Sequence, residues 1–165
     1  MALAVLAMTL AVTSAYTPAA GAAATVGGEV PDFALRTLEG QNLRLSEFRG
    51  EVVLVNFWAT WCSSCREQIA SLEDLHDKYR KAGLVLLSVN LDDDAVQAAD
   101  MARRLKISYP VLMDGRKDVA KLYQLENLPL TVLVDREGTV RQVYPGFKKG
   151  DEKAYLEQIR GLLKE

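Results

Sequence analysis

Metal-binding side chains are scarce in this sequence, which has two cysteines and one histidine among 165 residues. A zinc or iron-sulfur site usually takes four ligands from Cys, His or carboxylate, and Cys62 and Cys65, in "WCSSC", supply half of one. At 1.5 Å per residue, the helix expected to follow would carry His76 about 16 Å from Cys65, beyond the reach of a shared metal and of a Cys-His nucleophilic dyad. Positive charge is not in surplus either. Lys and Arg total 20 against 22 acidic residues, with no long basic run, which argues against a nucleic-acid or acidic-lipid binder. No internal repeat occurs. What remains is an ordinary globular composition, 49% apolar and 25% charged, in a chain long enough for one well-buried domain and too short for two.

Charge is absent altogether before Glu29. The opening "MALAVLAMTLAVTSAYTPAAGAAA" has an apolar stretch of about a dozen residues followed by small residues, which fits a secretory signal peptide better than a span of about 20 apolar residues. Residues 1–24 are therefore expected to be a signal peptide or N-terminal anchor, with cleavage near Ala22 or Ala24, and 25–165 the folded domain. The segment lacks the usual Lys or Arg ahead of the apolar run, and it has no cysteine for lipid attachment.

Along the domain, Phe33, Leu35, Leu43 and Leu45 alternate around Glu39-Gly40, predicting a hairpin ahead of the main sheet. "VVLVNFW" (52–58) and "LVLLSVN" (84–90) are continuous apolar runs, as expected of central strands covered on both faces. Between them, Ile69, Leu72, Leu75, His76 and Tyr79 recur at helical spacing, so the cysteines open a helix. A helix with acidic caps follows in "DDDAVQAADMARRLK", then a short strand in "YPVLMD", a short helix before Pro129, and a finishing hairpin turned at Glu137-Gly138. A last amphipathic helix, 151–163, is expected to be capped by Asp151 and to bury Tyr155, Ile159 and Leu162. Alternating strands and helices give an α/β domain.

The spacing of the cysteines suits redox exchange. At a strand-to-helix junction Cys62 sits where unsatisfied amide hydrogens and the helix dipole favour a thiolate. Cys65, three residues on, lies close to one turn away and can resolve a mixed disulfide formed by Cys62. A purely structural bridge across so small a loop would gain little chain entropy. Two sulfurs could also carry Cu(I) with a third ligand from elsewhere.

These residues bring a family into view. "VPDFALRTLEG", "VLVNFWATWCSSC", "YPVLMD" and "NLPLTVLVDREG", in that order over about 29–163, resemble the thioredoxin superfamily, and within it the TlpA/ResA-like extracytoplasmic thiol-disulfide oxidoreductases with their AhpC/TSA-like redoxin domain. The resemblance implies a thioredoxin-like fold, a central mixed sheet flanked by helices with an N-terminal β-hairpin extension. It also implies a Leu128-Pro129 bond in the cis form beside the cysteines, whose loop backbone pairs with a partner chain, and an active-site tryptophan at Trp61; Trp58 reads equally well as core. No cofactor is implied beyond the Cys62-Cys65 disulfide, and no metal.

The sequence departs from the family at three places. Ser63-Ser64 replaces a dipeptide that often ends in proline; hydroxyl donors there would stabilise a Cys62 thiolate and hence the reduced form. Asn56 stands where thioredoxin buries an acid. Gln68 stands where ResA-like members have a glutamate, while Glu67, about 160° round the helix from Cys65, should face water. Cys65 is thus expected to lose its proton to water or to an acid on another loop, such as Glu126.

By this resemblance the protein reduces disulfides of extracytoplasmic client proteins, apocytochrome c among the candidates, is recharged by a membrane thiol donor, and needs to be no more than a monomer. The same site would serve an oxidase or isomerase. A peroxiredoxin frame requires Pro and Thr seven and three residues before its cysteine, where Val55 and Ala59 precede Cys62 and Trp58 and Cys62 precede Cys65. A non-enzymatic Cu(I)-binding module remains as a further alternative.

Overall fold

The structure is a computed structural model that describes residues 23–165. Nearly all of the expected leader lies outside the described residues. Among those residues, no helix is long and apolar enough to cross a membrane.

Two predominantly apolar runs form the centre. Strands β3 (Val52–Trp58) and β4 (Leu84–Asn90) pair in parallel along their full length, and every residue of β3 is buried. Around them a single seven-stranded mixed sheet runs in the order β2-β1-β5-β4-β3-β6-β7. β6 (Leu130–Val134) and β7 (Val140–Pro145) form the finishing hairpin, antiparallel to β3. The early hairpin, β1 (Ala34–Thr37) and β2 (Asn42–Arg44), turns at Gly40, whose φ of +88° is open to a residue without a Cβ. It does not stand apart from the main sheet. β1 pairs with β5 (Val111–Met113) through Arg36–Met113 and Thr37–Leu112, so the extension is an edge of the sheet.

The sheet's two faces follow from alternation. Val53, Val55 and Phe57 point to a core shared with Phe33, Leu45 and the short helix α3 (Asp118–Leu122). Val52 and Leu54 point the other way, to a core with Leu72 and Leu75 of α1 (Ser63–Tyr79) and Tyr155 and Ile159 of α4 (Glu152–Leu162). α2 (Ala95–Arg104) joins this second face through Ala102, beside Trp58 and both cysteines. Burying each large aliphatic or aromatic side chain contributes about 1.5–3 kcal/mol.

Helix starts divide between expectation and correction. Asp94 caps α2 as expected, accepting from the N–H groups of Val96 and Gln97. Asp151 does not cap α4. Its backbone is already helical (φ −64°, ψ −24°), and its carboxylate accepts instead from Lys148 N–H at 2.8 Å, closing the preceding turn. A cap side chain must leave from extended backbone to reach the N–H groups ahead of it.

Candidate active site

β3 delivers the chain to the cysteines and α1 carries it away. Cys62 is the N-cap of α1, with extended backbone (φ −87°, ψ 108°), and its sulfur accepts the N–H of Cys65 at 3.2 Å. The two sulfurs are joined in a disulfide. Their surroundings differ: Cys62 keeps 7% of its surface exposed and Cys65 none. Ser64 Oγ stands 3.6 Å from Cys62 Sγ, while Ser63 is exposed.

The loop ahead of Cys62 is clamped. The Asp92 carboxylate accepts from the N–H and the hydroxyl of Thr60, each at 2.9 Å, and from Asn90 Nδ2 at 2.8 Å. Arg66 Nη1 donates to the Thr60 carbonyl at 2.9 Å. Trp61 follows on this fixed backbone with its side chain 71% exposed, whereas Trp58 is core, packed with both cysteines. Sequence reading missed Thr60, Asn90, Arg66 and Asp92. Asp92 opens the acidic run that was read only as helix caps.

Beneath Cys65 lies a buried polar group. Gln68, one turn further along α1 and fully buried, accepts from Asn56 Nδ2 at 2.6 Å. Its own Nε2 donates to Thr131 Oγ1 at 2.9 Å and to the Tyr155 hydroxyl at 2.8 Å. Asn56 Nδ2 also reaches Thr131 Oγ1 at 3.3 Å, across the β3–β6 register. On the other side of Asn56 in register is Ser88, and Asn56 Oδ1 and Ser88 Oγ have no partner among the described residues. None of these groups is a carboxylate. Burial pushes the Tyr155 hydroxyl above its ordinary pKa, although the hydrogen bonds from Gln68 and Thr131 oppose this. Asn56 and Gln68 were expected at the site; Thr131 and Tyr155 were not. The signal for two of them was a lone polar residue inside an all-buried strand: Asn56 in β3 and Thr131 in β6.

The remaining expectations divide. The Leu128–Pro129 peptide is cis, Pro129 is buried, and Leu128 packs against the cluster that holds both cysteines. Glu67 is exposed, as expected. Glu126 is exposed as well, and lines a groove with Tyr123 and Pro145, where neither cysteine lies. His76 packs edge-on against Tyr109, 5.4 Å between ring centres. Among the described residues no three His, Cys, Asp or Glu side chains cluster in a way that could hold a metal ion.

Comparison with known proteins places this arrangement. Residues 26–143 match the model of the AhpC/TSA family. A thiol-disulfide oxidoreductase ResA from Geobacillus kaustophilus is 35% identical over 139 residues, covering 84% of this chain and 80% of its own. Among solved structures, one described as a thiol:disulfide interchange protein DsbE, from Chlorobium tepidum, superposes with a TM-score of 0.81 at 32% identity, over 84% of this chain and 98% of that one. Another, described as a protein disulfide isomerase from Bacteroides thetaiotaomicron, gives 0.80 at 27% identity, over 86% and 91%.

Proposed function

Since the chain belongs to the AhpC/TSA family and is a thiol-disulfide oxidoreductase of thioredoxin-like fold, we propose that it works as a reductase of client-protein disulfides outside the cytoplasm. The observation that carries the division of labour is the asymmetry of the pair. Cys62 reaches the surface from the cap of α1, where N–H groups and the helix dipole favour its thiolate. Cys65 is sealed beneath it.

In the reduced protein the Cys62 thiolate attacks one sulfur of a client disulfide, forming a mixed disulfide and expelling the client's other sulfur as a thiolate. Cys65, once deprotonated, attacks Cys62 Sγ, closes the Cys62–Cys65 bond and releases the second client thiolate. The client gains two electrons and the enzyme loses two. A dithiol donor must return them, and in an oxidising compartment that donor has to draw on electrons from across a membrane. The apolar stretch of the leader and the small residues that follow it support the extracytoplasmic placement. Leu128, packed against the cysteine cluster, is placed to pair its backbone with an extended client chain.

Equilibration of the pair with a thiol buffer tests the direction. A potential at or below about −230 mV supports a reductase, and one near about −120 mV marks an oxidant and overturns the reading.

A further inference from the structure

A groove of about 270 Å³ opens one residue away from Cys62. Thr60 and Trp61 form one wall; Gln97, Asp100, Met101 and Arg104 of α2 form the other. Their spacing, i, i+3, i+4 and i+7, is that of a single helical face, while the buried Ala98 and Ala102 hold the opposite face against the core. The Thr60 wall is fixed by Asp92 and Arg66. Small-molecule pockets run from about 300 to 1,000 Å³, so the groove suits one or two side chains of a polypeptide better than a cofactor.

Two features give it a chemical preference. Trp61 is 71% and Val96, one turn before Asp100, 70% exposed, two of the three large apolar side chains left in water among the described residues. An indole offers about 150–250 Å² for burial, and Met101 continues the apolar lining. The charge is uneven: Asp100 pairs with Arg103, whereas Arg104 has no ion-pair partner among the described residues. Arg66, behind Thr60, likewise meets a carbonyl and no carboxylate. Asp92 is the opposing charge, nearly buried and engaged by Thr60 and Asn90.

Resting on the reading of Cys62 as the attacking sulfur, we propose that the Trp61–α2 groove docks the client chain beside its reacting cysteine and selects an extended segment carrying one apolar and one acidic side chain. A client bonded to Cys62 must pass along one of the walls around it, and this wall begins at the preceding residue. The apolar side chain covers Trp61 and Met101; the carboxylate meets Arg104.

The test uses the reduced protein and two cysteine peptides, each joined by a disulfide to the same thionitrobenzoate reporter. Both have Leu next to the cysteine, and they differ only in a following Glu or Lys. Wild type should release the reporter about three- to fivefold faster from the Glu peptide at low salt, the range an exposed ion pair supports, and the ratio should approach one at about 0.5 M salt. In Arg104→Glu the ratio should invert. Because each ratio is internal to one protein, a change in cysteine reactivity cancels. Replacing the peptide's Leu by Ser should slow wild type at least threefold. A wild-type ratio of one at low salt, or a ratio unchanged in Arg104→Glu, overturns the docking proposal while leaving exchange intact. Failure to release the reporter from any peptide or from the free bis-thionitrobenzoate disulfide overturns the exchange reading itself, and the docking proposal with it.

Discussion

Gln68 is fully buried one turn below Cys65, and its amide both accepts from Asn56 and donates to Thr131 and Tyr155. A carboxylate could not do the same, because once ionised it only accepts. Gln68→Glu would place a carboxyl where no cation faces it, and burial would raise its pKa above the unfolded value of about 4.3. A raised acid makes the folded state bind more protons than the unfolded one. The variant's stability is then intact below about pH 4.3 and falls by about 1.4 kcal/mol per unit as pH rises towards the folded pKa. Denaturant unfolding at pH 5 and pH 7 should therefore show the gap to wild type widening by about 2–3 kcal/mol. A constant gap would mean that water reaches Gln68. Glu67, exposed on the same helix, offers a control: Glu67→Gln should leave the pH profile of exchange within about twofold, as most exposed single charges do. The cysteines themselves divide by trapping. Cys65→Ser should accumulate mixed disulfides through Cys62, and Cys62→Ser few. Equal trapping on non-reducing gels would remove the assigned roles.

At the scale of elements, the "PDF" stretch at 31–33 acquires a physical account. The Pro31 carbonyl accepts from the Tyr123 hydroxyl at 2.7 Å, and Phe33 packs edge-on against the same ring. The Asp32 carboxylate takes Arg44 Nη1, Ser46 N–H and the Ser46 hydroxyl, which ties the segment before β1 to the 3-10 turn at Leu45–Phe48 after β2. Partial burial works against ionisation of Asp32, but the hydrogen bonds from Arg44 and Ser46 outweigh it and hold its pKa below the ordinary carboxylate value. The stabilisation is thus complete above about pH 4 and is lost as pH falls through the lowered folded value. Asp32→Asn should cost about 1 kcal/mol at pH 7, the usual worth of a capping carboxylate, or about 2–4 °C in Tm. The difference should close on acidification to about pH 2, and a difference that persisted there would mean the loss comes from packing. β3, β4 and the start of α1 were legible in the sequence because a run buried on both faces announces itself locally, as does a switch to helical spacing. The β1–β5 pairing was not, since Arg36 and Met113 are far apart in the chain and no local pattern couples them. Asp151 misled because capping depends on backbone conformation, which the residue type alone does not set.

Considered whole, the molecule assembles its redox centre from distant segments: the cysteines at the β3–α1 junction, Asp92 after β4, Pro129 and Thr131 around the start of β6, Tyr155 on α4. The cysteines and Pro129 were legible because their motifs are local and ordered. Tyr155 was not, because as part of an amphipathic face it is indistinguishable from a core residue until α4 packs over α1. This distributed support ties the potential of the sulfur pair to the stability of the whole fold. Folding, oxidation and unfolding form a closed cycle, so any difference in stability between oxidised and reduced protein equals the difference in potential between the folded and the unfolded pair. Potentials of about −230 and −120 mV are about 110 mV apart, which at about 1.4 kcal/mol per 30 mV is about 5 kcal/mol. The reduced state would gain from the cap N–H groups that face Cys62, and would lose from any charge on Cys65, which is sealed from water. On the proposed reductase reading these opposing effects leave the dithiol without the large one-sided stabilisation that makes a strong oxidant. Denaturant unfolding of the oxidised protein and of the protein held reduced should therefore show the oxidised form at least as stable. A reduced form more stable by about 3 kcal/mol or more would move the potential some 60 mV towards the oxidising end, and electron flow would then run from client to enzyme.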